Sequence, residues 1–216
     1  VSEKKELSRL TQFLNNKCHS LKMLSIDTYK PEVARYALNN GFNMINDIKA
    51  GGDNHLMLNL AAEYDCPIVL MHMKGTPSTM QDYPHYDDII GDIKYFFEEK
   101  LKIAESLGIK KNNLILDPGI GFGKHYKDNE IILENLGTFK QYDHPILLGL
   151  SRKSFLSVNG DDPESRLPAT LGATVIAIQK GVDILRVHDI EATYKLKIIL
   201  QRINYHKQNN AEIIYN

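Results

Sequence analysis

The sequence contains no tryptophan, only two cysteines among its 216 residues, and no long apolar run. Cys18 and Cys66 lie far apart and neither has a CxxC partner, which favours core thiols in a reducing, cytoplasmic compartment over a disulfide. A membrane-spanning helix needs roughly 18 consecutive apolar residues, and no run approaches that length. We also expect no signal peptide. We therefore expect no membrane partner.

Neither positive nor negative charge is in excess: the sequence has 26 Lys and Arg residues and 27 Asp and Glu residues, and its net charge is −1. This balance argues against a nucleic-acid partner, so any positive charge for an anionic ligand must be supplied locally. The composition, 43% hydrophobic and 25% charged, is that of an ordinary globular protein. The length predicts a single domain over residues 1–216, with a frayed tail at 205–216.

Six short apolar runs are present, and each is followed by polar residues and then by an amphipathic segment. None of the runs alternates apolar and polar residues, which is typical of strands buried on both faces in parallel sheets. The runs are Met23–Ile26, Phe42–Ile45, Pro67–Met71, Leu114–Leu116, Ile146–Leu150 and Ile184–Val187. Apolar periodicity predicts helices near 2–17, 31–41, 86–107, 127–141, 163–180 and 190–204. Strands that alternate with helices predict a parallel α/β fold.

Polar or charged side chains stand at or just after the carboxyl end of every run. In a closed parallel barrel these ends share one face, where active sites form, whereas in an open sheet they lie along an edge. Because such polar or charged side chains stand at all six strand ends, the sequence favours a TIM-type (β/α)8 barrel, of which it supplies about six β/α units. The residues are Asp27, Asn46, His72, Asp117, Lys153, and Arg186 with His188.

Three of these residues also have a purely structural interpretation. Asp27, which precedes Pro31 by four positions, could cap a helix, and Asn46 could cap a turn. A lone histidine such as His72 is more often a hydrogen-bonded core residue than a ligand. No cluster has the spacing of metal ligands, so we expect no structural metal site in these residues.

Arg186 lies inside an apolar run, where an unpaired arginine would be costly. A structural ion pair with Asp183 or Asp189 would explain its presence, and so would a role in anion binding. The sequence alone leaves these two alternatives open.

The stretch DPGIGFGK, residues 117–124, looks like a phosphate loop but matches neither common pattern. A Walker A loop has four residues between its glycine and Gly-Lys, followed by Ser or Thr, whereas His125 follows Lys124 here. The glycines at 119, 121 and 123 do not match GxGxxG either. They instead predict a tight turn without side chains directly after Asp117, where a ligand can approach the backbone. Phe122, in the middle of this turn, could stack on that ligand.

Taken together, six stretches resemble those of the dihydropteroate synthases, of the pterin-binding barrel family. SIDTYK, INDI, MHMKGTP, LDPGIGFGK, GLSRKSF and RVHD occur in the order and spacing of that family and cover nearly the whole chain. The resemblance implies a transferase of folate biosynthesis that joins 6-hydroxymethyl-7,8-dihydropterin pyrophosphate to p-aminobenzoate. It also implies a cytoplasmic homodimer that is a target of sulfonamides.

The same resemblance implies roles for individual residues. The pterin ring would be held by Asp27, Asn46, Met71, Asp117, Phe122, Gly149 and Lys153. p-Aminobenzoate would contact Ser151 and Lys153, and the pyrophosphate would be held by Arg186 and His188. The catalytic set would be Lys153, Arg186 and His188. Arg152 lies beside this set without an assigned role.

These residue types suit the chemistry that the resemblance implies. The donor-rich edge of a pterin can be bound by two carboxylates and an amide oxygen. Pyrophosphate gains charge as it leaves, and Arg186, His188 and Mg²⁺ would stabilise that charge. The neutral amine of p-aminobenzoate then attacks the methylene carbon, so no nucleophilic serine is needed.

The sequence departs from the family in its number of strands. A TIM-type barrel has eight strands in about 250 residues, and we expect the first two strands and the first helix to be absent here. With them would go two long loops, an arginine and an asparagine that binds Mg²⁺. We therefore expect Mg²⁺ as cofactor but no metal ligand within these residues. The chain begins with Val1 rather than Met, and we expect it to be part of a longer protein and inactive by itself.

Three other functions remain open at this point. A non-catalytic pterin-binding fragment or paralogue would bind pterin without condensing it. A methyltetrahydrofolate methyltransferase uses a similar barrel and would transfer a methyl group to a corrinoid protein. An unrelated phosphate-binding barrel such as an aldolase would use Lys153 as a Schiff base, which borohydride would trap.

Overall fold

The computed structural model describes residues 1–16, 23–52, 54–76 and 84–209. Within these ranges the α-helices are α1 (Glu3–Asn16), α2 (Pro31–Asn39), α3 (Leu56–Glu63), α4 (Ile89–Ser106), α5 (Tyr126–Asn135), α6 (Leu167–Gln179) and α7 (Ile190–Asn209). Short 3₁₀ helices lie at Lys111–Asn113, Leu136–Tyr142, Ser154–Leu156 and Glu164–Arg166. The strands are β1 (Ser25–Asp27), β2 (Met44–Asp47), β3 (Ile68–Met71), β4 (Leu114–Asp117), β5 (Leu147–Leu148) and β6 (Ile184–Leu185). None of the described helices is long and apolar enough to cross a membrane.

All six predicted strands are present, and they pair in parallel in the order of the chain. β1 to β4 form one sheet, β5 pairs with β6, and an isolated bridge between Leu116 and Ile146 joins the two sheets. In a flat sheet, β1 and β6 would be roughly 24 Å apart at a strand spacing of about 4.8 Å. Instead, Arg186, just after β6, forms an ion pair with Asp27 at the end of β1. The strands therefore curve as in a barrel, which confirms the predicted fold.

Burial differs between the inner strands and the two outer ones. β2, β3, β4 and β5 are buried along their whole length. By contrast, two of the three residues of β1 are exposed, and β6 is only half-buried. The prediction of burial on both faces is therefore wrong for β1 and β6. In the described part of the chain each of these strands pairs with a single neighbour, which leaves one of its edges unpaired.

α4 begins later than the predicted start at 86. Asp88 is its N-cap, and the Asp88 carboxylate accepts a hydrogen bond of 3.0 Å from the backbone N–H of Gly91. An N-cap residue has non-helical backbone angles, so Asp88 precedes the first turn of the helix. The buried residues of α4 include Ile89, Ile93, Phe97 and Leu101.

Three other segments differ from the prediction. The sequence pattern does not predict α3, because this short helix is largely apolar and lacks a polar face. The predicted helix at 127–141 is α5 followed by a 3₁₀ segment, which starts directly before Gly137. α7 continues to Asn209, and the frayed tail expected at 205–216 stays a prediction. The rest of that tail, 210–216, lies outside the described residues.

The core has an inner and an outer part, on the two faces of the curved sheet. The inner cluster consists of Met44, Val69, Met71, Ile115 and Leu147. The outer cluster packs the helices against the sheet and contains Phe97 and Phe139, whose ring centroids are 5.6 Å apart. It also holds Cys66, which is a buried free thiol as predicted; Cys18 lies outside the described residues. The polar strand ends stand directly above the inner cluster.

Candidate active site

Alternation along the strands places three of the predicted residues on the inner face of the sheet. Side chains two positions apart in a strand point to the same face. Asn46, Met71 and Asp117 lie two positions after the inner-cluster residues Met44, Val69 and Ile115. They line a cavity of about 160 Å³ together with Asp27, Ile48, Ile120, Phe122, Gly149 and Arg186. Seven of the ten predicted site residues therefore surround one cavity.

Asp27 is the polar centre of one wall of this cavity. Its carboxylate accepts a hydrogen bond from the Asn46 side chain at 3.2 Å and forms an ion pair with Arg186 at 2.5 Å. The N-cap of α2 is Lys30, so Asp27 does not cap that helix. The Asn46 side chain likewise binds Asp27 rather than closing a turn. The structural alternatives for Asp27 and Asn46 are therefore wrong.

Arg186 pairs with neither of the aspartates suggested by the sequence. Asp183 and Asp189 each bind another basic side chain. Arg186 instead reaches from the end of β6 to Asp27, which is 159 residues away in the sequence. The Arg186 side chain remains 55% exposed, so its remaining N–H donors are accessible to an anion.

Asp117 is the buried carboxylate of the site, with 6% of its surface exposed. Burial raises the pKa of this carboxyl group to about 6. A hydrogen bond of 2.7 Å from the Gly119 backbone and the charges of Lys124, Lys153 and Arg186 oppose that shift. Asp117 is therefore mostly ionised at neutral pH and can accept hydrogen bonds from a donor-rich ligand.

The glycine loop, residues 119–123, runs against the backbone that follows β3. A Cβ on Gly119 would lie 1.9 Å from the carbonyl oxygen of His72, and a Cβ on Gly123 would lie 2.3 Å from that of Lys74. Both glycines also have a positive φ, which disfavours a side chain. The predicted tight turn is thus present, and it places Phe122 in the cavity wall. Stacking of Phe122 on a ligand stays a prediction.

Lys153 is not among the residues that line the cavity, but its ammonium group covers one of them. The Lys153 nitrogen lies 4.2 Å from the centroid of the Phe122 ring, a cation–π contact. Burial lowers the pKa of Lys153, although the nearby Asp117 carboxylate opposes that change. Gly121 allows the approach, because a Cβ there would lie only 3.1 Å from the Lys153 side chain.

Ser151 and His188 contact each other outside the cavity lining. The Ser151 hydroxyl accepts a hydrogen bond of 3.2 Å from the backbone N–H of His188. It also lies 3.0 Å from Nδ1 of the His188 ring. These contacts join the loop after β5 to the loop after β6. The residues predicted for p-aminobenzoate and for pyrophosphate are therefore neighbours.

Arg152 forms a second connection between the same two loops. Its guanidinium group donates to both carboxylate oxygens of Asp189, at 2.7 and 3.0 Å, a bidentate geometry typical of strong ion pairs. Its backbone has φ of +59°, which is uncommon for a residue other than glycine. Its carbonyl oxygen accepts a hydrogen bond of 3.0 Å from Arg166. Arg152 thus fixes the loop that also carries Ser151 and Lys153.

Two buried charged groups near the site are not among the predicted site residues. Asp47 accepts hydrogen bonds from the backbone of Gly51 at 2.7 Å and of Lys49 at 2.9 Å, which close the turn after β2. An aspartate before a glycine pair is a recognisable turn signal. Lys124 is 4% exposed and contacts His72, which is 6% exposed. The interpretation of His72 as a hydrogen-bonded core residue is confirmed, whereas no local pattern marks Lys124 as buried.

Within the described ranges, no group of three or more His, Cys, Asp or Glu side chains could hold a metal ion. These residues do not form a magnesium site by themselves. Mg²⁺ usually keeps several waters and binds one or two carboxylates together with substrate phosphates. Further oxygen ligands would therefore have to come from a substrate or from elsewhere.

Parallel strands with acidic, amide and basic groups gathered at their carboxyl ends define an enzyme of the barrel class, with its active site at that face. Residues 1–188 match the family of pterin binding enzymes. The dihydropteroate synthase of Escherichia coli strain K12 is 37% identical over 211 residues, which are 97% of this chain and 74% of that protein.

Solved structures agree with this relationship. The dihydropteroate synthase of Yersinia pestis in a sulfonamide drug complex is 35% identical with a TM-score of 0.90, over 95% of this chain and 75% of that chain. The dihydropteroate synthase of Xanthomonas albilineans with 4-aminobenzoic acid is 37% identical with a TM-score of 0.85, over 94% and 73% of the two chains. The chain therefore belongs to the pterin-binding enzymes and, within them, to the dihydropteroate synthases, which confirms the predicted family and transferase class.

Proposed function

We propose that this chain condenses 6-hydroxymethyl-7,8-dihydropterin pyrophosphate with p-aminobenzoate, giving 7,8-dihydropteroate and pyrophosphate in folate biosynthesis. The observation that carries the proposal is the cavity in which Asp27, Asn46 and Asp117 meet at the carboxyl ends of β1, β2 and β4. Two carboxylates and an amide match the donor-rich edge of a pterin. A ring without those donors would leave buried acceptors unpaired, which costs affinity.

Met71, Phe122 and Gly149 would complete the pterin pocket. Met71 is buried at the end of β3, and Phe122 is half-buried in the glycine loop. Thioether and ring contacts of this kind suit a flat heteroaromatic ligand. Lys153, whose ammonium lies against Phe122, would contact both the pterin and p-aminobenzoate.

Arg186 and His188 would hold the pyrophosphate. The Arg186 guanidinium pairs with Asp27, and a pyrophosphate would compete for it because it offers more negative charge and a bidentate geometry. When the bond between the methylene carbon and the pyrophosphate oxygen breaks, that oxygen keeps the electron pair. The two basic side chains would stabilise the charge that develops there.

The amine of p-aminobenzoate would form the new carbon–nitrogen bond with its lone pair and then release a proton to solvent. Ser151 and Lys153 would orient this substrate, since they share the loop after β5. The Xanthomonas albilineans relative, solved with 4-aminobenzoic acid, supports this choice of substrate. No protein nucleophile is required in this sequence of steps.

Dependence on Mg²⁺ and inhibition by sulfonamides are part of the same proposal. Magnesium commonly binds substrate phosphates, which supports the first, although no step above depends on it. The Yersinia pestis structure in a sulfonamide complex supports the second. Chelation with EDTA tests the first property. Inhibition by a sulfonamide is tested by titrating the sulfonamide at increasing concentrations of p-aminobenzoate. If the two compete for one site, inhibition should weaken as the p-aminobenzoate concentration rises.

A cytoplasmic homodimer is proposed as the state of the enzyme in the cell. α7 exposes four large apolar side chains, which support a protein partner for this helix: Ile190, Tyr194, Ile199 and Ile203. The buried free thiol of Cys66 supports a reducing compartment. Analytical ultracentrifugation should show a dimer at micromolar concentration, and cell fractionation should find the protein in the cytoplasm. A monomer would contradict the proposed dimer, and a membrane-bound pool would contradict the proposed cytoplasmic location.

The decisive test is a condensation assay with dihydropterin pyrophosphate, p-aminobenzoate and magnesium. We would assay the 216-residue chain and the protein as its natural cell makes it. The natural protein should form dihydropteroate, and Asp117→Asn should lose at least about tenfold in kcat/KM. The exposed Asp87 serves as a control, because Asp87→Asn should leave the rate unchanged.

The outcomes of the assay separate the proposed synthase from a pterin-binding protein. Product from the natural protein but not from the 216-residue chain would support the expectation that further strands are needed. Pterin binding without product in both proteins would favour a binding protein. Neither binding nor product would overturn the proposal.

A further inference from the structure

A buried lysine and histidine lie directly behind the glycine loop and have no place in the proposed set of substrate ligands. The Lys124 ammonium lies 3.0 Å from Nδ1 of His72, 3.1 Å from the His72 carbonyl oxygen and 3.0 Å from the Phe122 carbonyl oxygen. An ammonium group has three N–H donors and no acceptor. All three donors of Lys124 are therefore matched, and Nδ1 of His72 must be the unprotonated nitrogen.

These three hydrogen bonds connect the glycine loop at Phe122 to the end of β3 at His72. Two more bonds hold the loop. The Tyr86 hydroxyl donates to the Gly123 carbonyl at 2.7 Å, and the Gly121 N–H donates to the Asn129 side chain at 2.7 Å. Both of those partners are neutral. Lys124 differs from them because it brings a charge into the buried region.

Burial of that charge carries a desolvation penalty, which a neutral donor in the same place would largely avoid. Burial lowers the pKa of Lys124 to about 7, while the carboxylates of Asp117 and Asp128 favour its charged form. Lys124 lies next to Asp117 across Gly119, because the Gly119 N–H donates to the Asp117 carboxylate at 2.7 Å and a Cβ on Gly119 would lie 3.2 Å from the Lys124 nitrogen. Consistent with this geometry, Lys124 is one of the cations that oppose the raised pKa of Asp117. The lysine and the aspartate therefore stabilise each other's charge inside the site.

We propose that Lys124 is a positioning residue that fixes the glycine loop and places a positive charge behind Asp117, which keeps this carboxylate ionised as an acceptor for the pterin ring. The inference deepens the proposed function and rests on it in one respect, namely that the ligand is a pterin. Lys124 touches no substrate in this arrangement. It acts through Asp117 and through Phe122.

The proposal predicts a particular dependence on pH. The charged or titratable groups around Asp117, Lys124 and the glycine loop are Asp27, His72, Lys74, Tyr86, Asp128, Lys153 and Arg186. Asp117 titrates near pH 6, and Lys124 keeps its proton up to about pH 7. Lys124 is thus charged over the range in which Asp117 ionises. Removal of its charge should raise the pH at which Asp117 becomes ionised.

The test uses Lys124→Met, Lys124→Gln and, as control, Lys127→Met at an exposed position of α5. Binding of 6-hydroxymethylpterin would be measured by calorimetry between pH 5 and 8. The titration of the Asp117 carboxyl would be followed by carbon NMR in the free protein, with Asp117→Asn for assignment. Gln keeps two N–H donors without the charge, so it separates hydrogen bonding from electrostatics and replaces Met if that variant does not fold.

In the parent, pterin affinity should fall as the pH drops below about 6. Both Lys124 variants should shift this midpoint upward by about one pH unit or more, with an affinity about tenfold lower at pH 6. Lys127→Met should behave as the parent. A loss of affinity at all pH values without a shift of the Asp117 midpoint would overturn the proposal, because it would show a purely structural role. If the parent binds no pterin, the proposed function fails, while the NMR titration still decides the effect of Lys124 on Asp117.

Discussion

Gly119 and His72 touch through their backbones, since a Cβ on Gly119 would lie 1.9 Å from the carbonyl oxygen of His72. Gly119 also has φ of +71°. We expect Gly119→Ala to lower the free energy of unfolding by about 2–5 kcal/mol, the combined effect of backbone strain and displacement of the loop. Unfolding in urea measures this change. Pterin affinity should fall in the same variant, because the loop carries Phe122.

Gly108→Ala is the matched control for this prediction. Gly108 has a similar φ of +79°, but nothing lies within 4 Å of a Cβ built there. Gly108→Ala should therefore lower the free energy of unfolding only by the backbone strain, about 1–2 kcal/mol, and should leave pterin affinity unchanged. Equal losses of stability in the two variants would show that the close contact at Gly119 is not limiting.

Lys153→Met should weaken binding of both substrates, because the Lys153 ammonium lies against the Phe122 ring and Lys153 shares the loop after β5 with Ser151. A hydrogen bond to a charged group contributes about 1.5–3 kcal/mol, so kcat/KM should fall about 10- to 100-fold for each substrate. Steady-state kinetics with one substrate varied at a time measures this. Lys127→Met, an exposed lysine, should retain the parent values. If Lys153→Met left turnover and both affinities intact, the role of Lys153 would be wrong.

Arg186→Gln should lower kcat by about 10²–10³ if this guanidinium stabilises the leaving pyrophosphate. Arg186→Lys should restore only part of the rate, because an ammonium group cannot make the bidentate contact. Rapid-quench measurement of a single turnover would isolate the bond-breaking step. Arg202→Gln, at an exposed position of α7, is the control. A normal single-turnover rate in Arg186→Gln would assign Arg186 to the ion pair with Asp27 alone.

His72→Gln should change how stability depends on pH. Burial and the charges of Lys124 and Lys74 lower the pKa of His72 to about 3 from an ordinary 6.5. Between these values the unfolded chain binds a proton that the folded chain does not, so His72 makes stability fall as the pH falls from 6.5 towards 3. The variant should reduce this slope by up to ~1.4 kcal/mol per pH unit.

The variant must be compared with the parent because Asp117 changes stability with pH in the direction opposite to His72. Its raised pKa makes the folded state bind the extra proton between 3.8 and about 6, which partly offsets the effect of His72. Urea unfolding of both proteins between pH 4 and 7 measures the difference. His85→Gln, at an exposed position, controls for the loss of an imidazole. Identical slopes in His72→Gln and the parent would show that His72 is not buried as a neutral group.

The order of the strands and the polar residues at their ends could be predicted from the sequence because both depend on short patterns. An apolar run such as 67–71 and the glycines after Asp117 are local signals of a strand and of a turn. Alternation then requires Asn46 and Asp117 to share a face with the inner cluster. The segment at 56–63 shows the limit, since a short apolar helix carries no periodic signal.

The pairing and the charge of the site depend on the tertiary structure. Arg186 pairs with Asp27 rather than with a neighbouring aspartate because the curved sheet brings the ends of β1 and β6 together. Lys124 has the sequence context of a loop residue, yet it is buried because the glycine loop packs against the end of β3. The pKa values of Asp117, His72 and Lys124 follow from that burial. The sequence by itself determined which chemical groups stand at the strand ends, whereas their partners and protonation states were decided by the folded chain, because desolvation and contacts between distant residues arise only there.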